Sequence, residues 1–230
     1  MFIRTVLVLL LILLCGCIGQ KANNNASTTY TSKDDVSMFS HPTDKEELSK
    51  RIVDEQQLEK VLNAQIAKGN YNLTARIAAG APQQYDAFIM TWIQQNITEL
   101  PAPFFYVMSR KLDATDNKAA LRWYTRGYVL AMVDRKLCID KSARQGIEYL
   151  NYILGDELKQ NIGSYQESGL IYQERVAAIE YAGTLKQNYD PMWICSHGVS
   201  TFTEEGNSGF EPLEKRKDKL DELAQSLPKK

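Results

Sequence analysis

Histidine is scarce in this chain, with two among 230 residues, His41 and His197. They are too far apart to form a local zinc-binding pair, and neither CxxC nor HExxH occurs. There is no GxSxG elbow for acyl transfer and no GxGxxG or Walker loop for a nucleotide. An excess of one charge is also lacking: 27 Lys and Arg stand against 28 Asp and Glu, a formal net charge of −1. No whole-protein field therefore exists to hold a polyanion, which disfavours nucleic acid as a partner. Runs that alternate apolar and polar and end in a hairpin dipeptide are missing too, so strands are not expected. The paired carboxylates Asp34 and Asp35, Glu46 and Glu47, and Glu204 and Glu205 read as solvated surface and not as acid/base machinery. These absences favour a binding protein over an enzyme, with no cofactor and no metal.

What is present begins at the amino terminus. Arg4 supplies a positive charge and residues 5–14, TVLVLLLILL, follow as an unbroken apolar run, the order of a secretory signal. The uncharged stretch 5–20 is sixteen residues long, short of the roughly 20 that a spanning helix needs. Then comes Leu14-Cys15-Gly16-Cys17, which resembles the lipobox of bacterial lipoproteins. Leu14 matches the first position, Gly16 the small position before the cysteine, and Cys17 the thiol that receives the lipid. The alternative is a plain secretory signal with a chance cysteine. The resemblance implies a signal peptide over 1–16, departure of Cys15 with it, and a membrane anchor at Cys17. Ile18 and Gly19 stand where an Asp would commonly retain such a protein in the inner membrane, which implies anchoring to the outer membrane and exposure to the periplasm. Residues 17–42 are polar, rich in Asn, Ser and Thr, and without helical period, so they read as a tether. A coil of about 25 residues reaches roughly 25–30 Å.

Residues 43–230 read as a single helical domain. Thr43 and Glu46 form a capping box, and Leu48, Ile52, Leu58, Val61, Leu62 and Ile66 follow at three-and-four spacing before Gly69. Further helices are expected over 72–79, after Pro82, from Phe104 to Leu112 after two prolines, from Asp116 to Leu137, after Asp140 up to Gly155, and from about Ser168 to Gln187. The class is all-α, an antiparallel helical bundle or helical-hairpin array. Asp116 to Leu154, with Trp123, Tyr124, Gly127, Asp140, Gly146 and Tyr149, resembles one hairpin of the Sel1-like and tetratricopeptide superfamily, which implies hairpin packing there. Leu213, Leu220, Leu223 and Leu227 line one side of a charged terminal helix, read as docked on the core.

Between them, residues 189–210 are irregular, with Pro, Gly and polar residues interleaved with Trp193, Phe202 and Phe210. Cys138 and Cys195 are the two thiols left after the processing site. In an oxidising compartment they invite a disulfide that fastens this loop near the C-terminus, two buried free thiols being the alternative. A nucleophile and base at Cys195 and His197 is disfavoured, because a bridge consumes the thiol. Trp193, Phe202 and Phe210 beside Glu204, Glu205 and Glu211 have the composition of an interface, although each aromatic can instead plug the end of the bundle. A lipobox, a polar tether and a helical body with a WYTRGY helix together resemble the immunity lipoproteins that accompany lipase effectors of type VI secretion. That resemblance implies a protein partner, the lipase effector, blocked in the periplasm. An envelope scaffold of the helical-repeat kind is the alternative.

Overall fold

Asp54 accepts a hydrogen bond from the Gln57 amide at 2.7 Å and so starts the first helix of a computed structural model that describes residues 54–154, 156–167, 169–202 and 209–227. The signal peptide, Cys17, the tether, the capping box at Thr43, and Glu204 and Glu205 lie outside the described residues. Ten α-helices follow: α1 Glu55–Ile66, α2 Tyr71–Gly80, α3 Asp86–Gln95, α4 Ala102–Leu112, α5 Asn117–Leu137, α6 Gly146–Leu154, α7 Asp156–Glu167, α8 Leu170–Thr184, the single turn α9 Met192–Cys195, and α10 Arg216–Gln225. No strand occurs among the described residues, whose one bridge joins Cys138 to Phe210. None of their helices is long and apolar enough to cross a membrane.

The bundle is organised around α4 and α5. Pro101 caps α4 and Pro103 sits in its first turn, where a missing N–H is no loss, so the two prolines open this helix instead of preceding it. Residues 113–116 turn the chain back, and Asp116 caps α5 through the Ala119 amide at 2.9 Å. The two helices meet at Gly127. A Cβ there would lie 2.7 Å from Tyr106 Cδ2 and 2.9 Å from the Phe105 Cβ, so only glycine permits the approach. Phe104, Phe105, Tyr106 and Met108 are buried along the α4 face, with Leu121 and Leu130 from α5. Ser109 donates to the Ala120 carbonyl at 2.7 Å and closes the hairpin inside the core. On the other sides of α5 pack α8 and α10, while α2, α3 and α6 cover α4.

Three details differ from the sequence reading. Helix α6 packs chiefly on α4 and not on α5, so the tetratricopeptide-like hairpin does not form. Asp140 caps a 3-10 turn, Lys141–Gln145, before α6 begins. Helix α7, which the reading left out, presents only Leu158 and Ile162 as buried apolar residues along twelve positions.

Candidate partner-binding surface at the disulfide-linked end

The apolar stripe of α5 ends at Leu137, and Cys138 caps the helix in an extended conformation. Its sulfur is bonded to that of Cys195, the last residue of α9, with Cα atoms 5.2 Å apart. Both cysteines are buried. The bridge settles the open pairing of the two thiols and leaves no thiol at Cys195 for chemistry with His197. With a sequence separation of 57, closure stabilises by about 4 kcal/mol in the chain-entropy model.

One turn before Cys138, Asp134 is fully buried. Its carboxylate accepts from Trp193 Nε1 at 2.8 Å and from Arg216 Nη2 at 3.0 Å. Arg216 also donates to the Tyr189 carbonyl at 3.3 Å and lies 4.6 Å over the Tyr189 ring. Burial pushes the Asp134 carboxyl above the usual carboxylate range, opposed by the Arg216 charge and then by the bond from Trp193. One acid on α5 thus holds both the irregular segment and α10. Trp193 is 3 % exposed, so its ring serves the core, and the expectation that it meets a partner is corrected. No local pattern could reveal its acceptor, which lies 59 positions earlier.

Past the bridge, Asp140 gathers the next turn. Its carboxylate accepts from the Ser142 hydroxyl at 2.6 Å, the Ser200 amide at 2.8 Å and the Ser142 amide at 2.8 Å. These bonds, the Ser142 hydroxyl foremost, hold the carboxyl well below the usual carboxylate range. A Cβ at Gly198 would run into that carboxylate, so glycine is required where the loop crosses it. The Val199 amide donates to Ser142 Oγ at 2.8 Å. The Ile139 amide donates to the Gly209 carbonyl at 3.0 Å and Glu211 to Leu137 at 2.8 Å, which lays 209–211 alongside.

Two large apolar side chains face solvent on this fastened end, Ile139 at 45 % and Val199 at 57 % exposure. Isolated in loops, they carry no periodic signal, and the sequence reading passed over them. Phe210 and Glu211 are half-buried beside the Ile139 segment, and Phe202 closes the 3-10 turn Val199–Phe202. Of the expected contact residues, then, Phe210 and Glu211 lie alongside the segment that carries Ile139. Charges of both signs are paired here: Lys219 meets Glu211 at 3.2 Å and Glu222 at 3.7 Å, and Lys136 meets Glu222 at 2.8 Å. Lys136 holds the Glu222 carboxyl below its ordinary value, and Glu211 raises the Lys219 ammonium. Exposed apolar side chains and ion pairs on a backbone fixed by a covalent bond are suited to a protein contact that demands little ordering. No group of His, Cys, Asp and Glu suited to a metal ion occurs among the described residues. Comparison with known proteins gives no match to a family model, to a curated protein or to a solved structure.

Proposed function

We propose that this chain is a lipid-anchored periplasmic binding protein and acts as an immunity protein, docking through its disulfide-linked end to inhibit a phospholipase effector of type VI secretion. The observation that carries the reading is the Cys138–Cys195 bridge. Disulfides persist in oxidising compartments, which agrees with the export signal and lipobox read at Leu14 to Cys17. The bridge also fastens the end of the bundle that carries the exposed Ile139 and Val199, the latter held by its amide bond to Ser142. A surface ordered in advance loses less entropy on binding, as a tight inhibitor requires. Inhibition then works by steric cover of the lipase active site or of its lipid access, with no chemistry supplied by this chain.

The test is capture of the full chain with its partners from envelope extracts, beside an Ile139→Asp, Val199→Asp double variant. One stoichiometric lipase, lost in the variant while the thermal midpoint holds, is the expected result. Several partners retained equally by both forms would sink the inhibitor in favour of an envelope scaffold.

A further inference from the structure

We infer that Arg122 and Arg126 on α5, set against Trp123 and Tyr181, form a docking surface for an acidic segment of a protein partner. The surface is built on a buried ring. Phe105 of α4 packs against Trp123 at 5.5 Å and against Tyr181 of α8 at 6.4 Å between centroids, so one core residue fixes both half-buried aromatics. The Arg126 guanidinium lies 3.8 Å over the Tyr181 ring and 5.2 Å over that of Trp123. Stacking of this kind positions a guanidinium and leaves its N–H donors for a carboxylate. Among the described residues Arg126 makes no hydrogen bond and no ion pair.

A second cation deepens the lack of negative charge. Arg122 stands four positions earlier on the helix, a spacing at which like charges repel. Burial lowers the Arg126 pKa, Tyr181 opposes the shift and the Arg122 charge adds to it. Glu174 is the acid at hand, and it comes no closer to Arg122 than 3.8 Å. Two guanidinium groups thus share one carboxylate, and a further carboxylate supplies the charge-assisted bonds that both can make. Arg, Trp and Tyr are also the residue types that carry most of the energy of protein contacts. A partner that presents Asp or Glu side chains uses the cations and the rings together, whereas a nucleic acid calls for a field that a chain of net charge −1 does not supply. None of these side chains belongs to the disulfide-linked end, so this assignment and the effector reading fail independently.

The experiment titrates the detergent-solubilised full chain with a fluorescent hexaglutamate peptide at low salt and follows its anisotropy, with phenylglyoxal labelling mapped by mass spectrometry to place the contact. Arg122 and Arg126 should react in the free chain and be protected by the peptide. Arg126→Gln should weaken binding about tenfold, some 1.4 kcal/mol. Arg122→Gln, at a side chain 46 % exposed and so indifferent to folding, should weaken it in the same direction. Lys217→Gln removes the same charge from an exposed position on α10 and should leave binding unchanged. No binding by the full chain, equal loss in all three variants, binding retained in both arginine variants, or protection of other arginines alone would overturn the assignment. So would an oligonucleotide that displaces the peptide and itself depends on Arg126.

Discussion

The α4–α5 pair and the disulfide-linked end meet on one helix, yet opposite means hold them. At Gly127 two helices approach so closely that a methyl group has no room, and the surrounding Phe105, Tyr106 and Leu130 are apolar or aromatic and fully enclosed. Beyond Leu130, the same helix carries a buried carboxylate, and past its end the chain adds a disulfide and then a second carboxylate that collects three hydrogen bonds. Packing serves where helices are long and regular. Where the chain is irregular, as in residues 185–202, short turns bring a few apolar side chains such as Tyr189, Trp193 and Ile194 into the core, and covalent and charged fastenings add to them.

Substitutions that sharpen this contrast differ in size and in their response to conditions. Phe105→Ala should be the most costly, about 3–5 kcal/mol by lost transfer energy and cavity. The loss should be the same with or without reductant in thermal or denaturant unfolding. Replacing Cys138 and Cys195 together by Ser should cost roughly 2–4 kcal/mol. Hydrogen exchange should then quicken in 189–202 and 209–211 while α4 stays protected. Asp134→Asn keeps the shape but removes the charge facing Arg216, for roughly 1.5–3 kcal/mol. Its signature is loosening of α10 together with the Trp193 segment, visible as a shift in tryptophan emission.

The smallest effect is that of acid. The Asp140 carboxyl has a depressed pKa in the fold, so its contribution is complete above the unfolded value near ~3.9 and fades as pH falls toward the folded one. Amide protection at Ser142 and Ser200 should hold at neutral pH and decline below about pH 4, with α5 unaffected. Loss of protection on the alkaline side instead would contradict the assigned bonds.

The sequence was legible where this contrast says it should be. A capping Asp116 and a recurring apolar stripe place α5 at the bounds found, Asn117–Leu137. The all-α class follows from several such stripes. Helix α7 escaped because its apolar residues are few and its first turn carries Asp156 and Glu157, which read as loop texture. The pairing of Cys138 with Cys195 was legible as chemistry, since two leftover thiols invite one bond. The role of Trp193 was not legible. An aromatic beside Pro and Ser looks the same whether it meets a partner or an aspartate that folding brings from another helix. Ile139 and Val199 were hidden for a related reason: exposure of a lone apolar residue depends on what covers it, and covering is a tertiary fact.

The central claim is that the disulfide-linked end is the binding surface, and a hydrogen-exchange footprint tests it most directly. The full chain is compared free and in the complex captured from envelope extracts. Slower exchange concentrated in 138–142 and 199–202, with α3 and α7 unchanged, is the result predicted. Protection confined to α3 and α7, with 138–142 and 199–202 exchanging as in the free chain, would contradict it.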